Sequence, residues 1–128
     1  MCGMRTILRA GLLAVFLPSG AVAGQQDDLV STFATCTGRF SALMEHQWLM
    51  SDPRADETQA RRAAMVALLE SVTPMAERRQ ALARRIDAKF ALAGLLTRVD
   101  FNRDPADAAW AAQRVEVEIA HCDALMLG

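Results

Sequence analysis

The stretch DDLVSTFATCTGRFSALMEHQWLM, residues 27–50, decides the fold. Leu29, Phe33, Cys36, Phe40, Leu43 and Met50 recur in it at alternating steps of three and four, interrupted only by Gln47. That spacing keeps one stripe of a helix apolar, so the sequence predicts a helix with a single buried face. Ser51-Asp52-Pro53 ends it, because proline disfavours helical geometry at the residue before it.

The pattern repeats downstream. Asp56 followed by Gln59 reads as a capping box, and Ala64, Met65, Leu68, Leu69 and Val72 share one face of a second helix over about 57–72. Thr73-Pro74 ends that helix and starts a third, with proline at its first position. Met75, Leu82, Ile86, Phe90, Ala93, Leu96 and Val99 give the third helix its expected stripe, and its second half is the expected most buried part. Asp104-Pro105, with Asp107 in the first turn, marks the start of a fourth. Its stripe is Ala108, Ala112, Val115, Ile119, Cys122 and Met126. No segment alternates apolar and polar residues long enough to be a strand. The fold class is therefore all-α.

Upstream, Arg5 and Arg9 precede an uncharged run from Ala10 to Leu17, and Ala21-Val22-Ala23 supplies small residues. This is the order of a secretory signal peptide, with cleavage expected after Ala23. The run is too short for the roughly 20 apolar residues of a membrane-spanning helix. The expected organisation is a signal peptide over 1–23 and a single domain over 24–128, exported to the periplasm or secreted. Of 14 basic and 15 acidic residues, Arg5 and Arg9 leave with the leader, so the remainder carries a net charge of −3. A nucleic-acid binder usually shows the opposite sign.

Removing the leader also removes Cys2 and leaves Cys36 and Cys122 in an oxidising compartment, where a disulfide is expected. The pair tests the topology. If residues 57–101 formed one continuous helix it would span roughly 65 Å, against about 35 Å for the first helix. In an up-down-up-down bundle of four helices, the first and last are antiparallel neighbours, and the two cysteines lie at similar depths of roughly 12 and 9 Å. A parallel pairing separates them by roughly 13 Å, more than a disulfide spans. The expectation is an up-down-up-down four-helix bundle with helix one joined to helix four by the Cys36–Cys122 bridge.

Chemistry-bearing motifs are sparse. Glu118-Ile119-Ala120-His121 has the Glu-x-x-His form of di-iron bundles, but a second such pair is missing. Covalent haem needs Cys-x-x-Cys-His, which is absent, and no methionine is level with His121 for a b-type haem. Met44, His46 and Met50 read as two core methionines and an exposed histidine rather than a copper site. No cofactor, metal or catalytic residue is expected, and no nucleophile pairs with an orienting base.

Two surfaces remain. Trp110, Val117 and His121 lie at steps of seven and four, about 150° from the core stripe of the fourth helix, with Arg114 among them. They and a second patch at Trp48, near the end of the first helix, are the expected docking regions for a protein partner or a second copy, making a non-catalytic interaction module the leading expectation. The alternative is an all-α binding protein or enzyme that holds a small anionic metabolite against Arg78, Arg85 and Lys89 on one flank of helix three.

Overall fold

A computed structural model describes residues 20–127 as four α-helices, with no strand among the described residues. They are α1 (Gly20–Leu49), α2 (Ala55–Val72), α3 (Arg78–Asp100) and α4 (Pro105–Ala124), and a 3-10 turn, Met75–Glu77, leads into α3. No described helix is long and apolar enough to cross a membrane. Most of the expected leader lies outside the described residues, and α1 as described starts four residues before the expected cleavage point.

Local chemistry fixes the breaks. Thr73 leaves α2 in an extended conformation and its hydroxyl donates to the Leu69 carbonyl at 2.6 Å, while Pro74 continues extended into the 3-10 turn. Asp104 caps α4 as expected: its carboxylate accepts from the backbone N–H groups of Ala106 and Asp107 at 2.9 and 3.3 Å, two donors the first turn leaves without intrahelical partners. The Asp56–Gln59 capping box does not form. The turn is set earlier, by Asp52, whose carboxylate accepts from the backbone N–H of Arg54 at 2.9 Å and from its guanidinium. The helix then begins at Ala55, which places Asp56 already inside its first turn.

Contacts along the helices give their directions. Gln26 on α1 reaches the Val72 carbonyl and Arg62 reaches Ser41, so α2 runs back along α1. Gly38 meets Arg85 and Lys89, Glu45 pairs with Lys89, and His46 with Asp100, so α3 runs parallel to α1. Cys36–Cys122 and Arg39–Glu118 make α4 antiparallel to α1. The disulfide joins Cα atoms 5.4 Å apart, both cysteines being fully buried.

The helices do not share their contacts evenly round a ring. Helix α1 packs extensively against α2 and α3, α4 packs chiefly on α3, and the α1–α4 contact is small; the α2 and α3 backbones do not approach each other closely, and Leu69 and Ala81 share one buried cluster with Val30 and Ala34 of α1. The expected single stripe on α1 is accordingly too narrow. Ala34, Thr37, Gly38, Ser41, Ala42, Met44 and Gln47 are buried as well, whereas Leu29 and Met50 at its two ends stay exposed. On α2, Met65 and Leu69 enter the core but Ala64 and Leu68 do not.

The largest departure is on α3. Met75 and the stripe residues Leu82, Ile86 and Phe90 are exposed, Phe90 by 70%; Leu96 of the expected stripe is buried, and Ala81 and Leu92 join it on the core side. The cause is Gly38. A Cβ added there would stand 2.2 Å from the Arg85 carbonyl oxygen and 2.9 Å from the Lys89 nitrogen, so the two backbones touch. Backbones this close admit only small side chains between them, and α3 turns Ala81 and Ala88 inward and its bulk sideways. Further along, Ala42, Leu92 and Leu96 fill the widening space with Val115 and Ile119 of α4 packed against them.

Candidate anion-binding groove

Because α2 and α3 both lean on α1 without a close backbone approach to each other, a groove runs between them. Its floor is α1 at Gly38, Ser41 and Glu45, and its walls carry Arg62 from α2 and Leu82, Arg85, Ile86 and Lys89 from α3, around a cavity of about 200 Å³. A second cavity of about 330 Å³ continues it through Leu82 and Arg85 to Leu69, Glu70, Thr73 and Arg78. The residues expected to hold an anion are thus distributed along one groove: Arg78 at one end, Lys89 at the other, and Arg85 common to both cavities.

The charges are unequally engaged. Lys89 Nζ donates to Glu45 Oε1 at 2.7 Å, which neutralises it at the rim. Arg62 Nε donates to Ser41 Oγ at 2.8 Å, and that hydroxyl donates onward to the Thr37 carbonyl at 2.8 Å. The guanidinium is therefore oriented by a neutral group. Among the described residues neither Arg62 nor Arg85 makes an ion pair with a carboxylate. Burial lowers the Arg85 pKa below the ordinary guanidinium value and the positive charge of Arg62 lowers it further, against a smaller opposing pull from Glu70. Two cations thus share a partly desolvated groove, an arrangement relieved by an anion between them.

Arg62 was missed by the sequence reading. The signal is present: Arg62, Met65, Leu69 and Val72 follow a three-four-three spacing, so the arginine lies on the face of α2 that turns toward α1. Its neighbour Arg61 has a structural role, donating to Asp123 at 3.0 Å and lying 5.6 Å from the centre of the Phe40 ring.

The docking residues expected from sequence lie elsewhere. Trp110, Arg114, Val117 and His121 are all exposed on the outer face of α4. The Arg98 guanidinium stacks on Trp110 at 4.9 Å, and Arg114 is engaged by Glu118 at 2.8 Å, whose other oxygen pairs with Arg39 at 3.0 Å beside the disulfide. Trp48 is exposed on the last turn of α1, and no aromatic pair joins it to Trp110 among the described residues. Phe101 packs edge-on against His46, whose ring nitrogen is 2.5 Å from Asp100. His46 is thus half-buried and hydrogen-bonded, and of the two methionines only Met44 is in the core.

Gln47 is buried in the wall of a wide cleft of about 960 Å³ between α4 and the α1–α2 turn, and its Oε1 has no hydrogen-bond partner among the described residues. No group of three or more metal-ligating side chains occurs among the described residues.

No protein-family model, curated protein or solved structure matches this chain.

Proposed function

We propose that the chain is an exported, non-catalytic binding protein for a small amphipathic anion, a carboxylate carrying a short aliphatic tail, held in the α2–α3 groove. The observation that carries this reading is the convergence of Arg62 and Arg85 on one cavity with no carboxylate ion-paired to either among the described residues, Glu45 being engaged by Lys89. A planar guanidinium matches a carboxylate in shape and makes two hydrogen bonds to it. Leu69, Leu82 and Ile86 along the same groove supply apolar surface for a tail. The tryptophan patches expected from sequence show no comparable pair of unengaged cations, since Arg114 is already paired with Glu118.

Thermal unfolding in the presence of octanoate, octanol, acetate and phosphate tests this. Octanoate is expected to raise the midpoint in a saturable way, acetate weakly and octanol not at all, and Arg62→Met or Arg85→Met abolishes the octanoate effect. Equal stabilisation of both variants and the parent protein by octanoate contradicts the assignment. So does stabilisation by phosphate alone, which points to non-specific screening of a basic helix.

A further inference from the structure

The outward side of α3 is as unusual as its groove side. Between Lys89 and Arg98 the sequence FALAGLLT, residues 90–97, carries no charge, so the helix is apolar or small all round at this level. A helix of that kind is ordinarily buried on every side. Here α1 and α4 cover Leu92 and Leu96, while Phe90 and Gly94 face solvent one turn apart. Gly94 has open space in place of a side chain, with nothing within 4 Å of an added Cβ. Unlike Gly38, it meets no requirement inside its own chain, and it weakens the helix it occupies.

We infer that α3 packs antiparallel against α3 of a second copy, with Phe90 of each chain seated over Gly94 of the other. A two-fold axis level with residue 92 makes this contact reciprocal, as an isologous interface requires. The charges agree with the same register. By helical periodicity Asp87 and Arg98 lie about 60° and 80° to one side of Phe90, and flanks on the same side meet in an antiparallel pair. Their midpoint also falls at about residue 92, to within about 1 Å of helix rise. Asp87 of one copy therefore stands across from Arg98 of the other, twice per dimer.

Asp87 is exposed and has no ion-pair partner among the described residues of its own chain. Arg98 pairs with Asp107 and stacks on Trp110 at 4.9 Å, leaving guanidinium donors free for a second carboxylate and placing Trp110 at the border of the interface. Leu82, Arg85 and Lys89 lie on the other flank, so the α2–α3 groove stays open in the dimer.

Sedimentation equilibrium of the disulfide-bonded protein tests the inference. The parent protein is expected to be a dimer at submillimolar concentration. Asp87→Arg and Arg98→Asp are each expected to be monomeric, because each places like charges face to face twice. Mixing the two variants restores a dimer, since both contacts then pair opposite charges. Gly94→Ala supplies a test that misfolding cannot mimic: in dilute solution it raises the unfolding midpoint, yet it weakens dimerisation at least tenfold. A monomeric parent protein, failure of the mixed variants to associate, or a Gly94→Ala dimer as tight as the parent's overturns the proposal.

Discussion

Gly38→Ala is the most informative single substitution in the core. On an isolated helix, replacing glycine by alanine is favourable by about 1 kcal/mol. At Gly38 the new Cβ falls 2.2 Å from the Arg85 carbonyl oxygen. Ordinary contact lies near 3.5 Å, so α1 and α3 must part by roughly 1 Å or more, and no side-chain rotation relieves a collision with backbone. A gap of that size forfeits a quarter to a half of each dispersion well along the α1–α3 contact. Overpacking of this kind costs about 1–3 kcal/mol and sometimes more. Because the collision is backbone on backbone, the cost falls at the upper end of that range, and less the propensity gain the net expectation is a loss of up to about 2 kcal/mol, a fall in midpoint of up to roughly 10 °C for a domain of this size. Gly94→Ala is the matched control on the parallel helix, with open space for its Cβ. In dilute solution it should gain about 0.5–1 kcal/mol. Circular dichroism during urea and thermal unfolding reads both. If Gly38→Ala is as stable as Gly94→Ala, the close crossing that sets the face of α3 is not present.

Other consequences follow from the same geometry. Replacing Cys36 and Cys122 with alanine opens an 86-residue loop and is expected to cost about 4–5 kcal/mol by chain-entropy reasoning, measured as a lower urea midpoint. The hydrogen bonds from Arg54 hold the Asp52 carboxyl down to about 2, below its ordinary 3.8. Its contribution is therefore complete above the unfolded value and disappears as pH falls from about 4 through 2, a dependence that Asp52→Asn should flatten in acid unfolding curves. For Arg85 the sign is reversed, since burial and Arg62 disfavour its charged form in the folded chain. At neutral pH the charge therefore opposes folding, and ligand-free Arg85→Met should melt higher than the parent protein while no longer responding to octanoate.

The breaks between helices were readable in the sequence because proline and aspartate act locally: Pro53, Thr73-Pro74 and Asp104-Pro105 all mark observed boundaries. The cysteine pair was readable because a disulfide tolerates so little displacement. What the stripe pattern misjudged was orientation. Bulk normally marks the buried face, but at the Gly38 crossing the buried residues of α3 are small, so Leu82, Ile86 and Phe90 were assigned to the wrong side. The groove was half readable for the same reason. Arg78, Arg85 and Lys89 stood out as a row on one helix, whereas Arg62 belongs to the site only because α2 and α3 are held apart by α1. No pattern within α3 encodes that spacing.

The proposed groove stands or falls on Arg62 and Arg85 holding an anion together. A titration with octanoate, following the arginine Nε–H resonances by NMR, addresses it directly. Saturable shifts confined to Arg62 and Arg85, with the exposed Arg103 unmoved, are the predicted result. Uniform small shifts across all arginines, or none at those two, would contradict it.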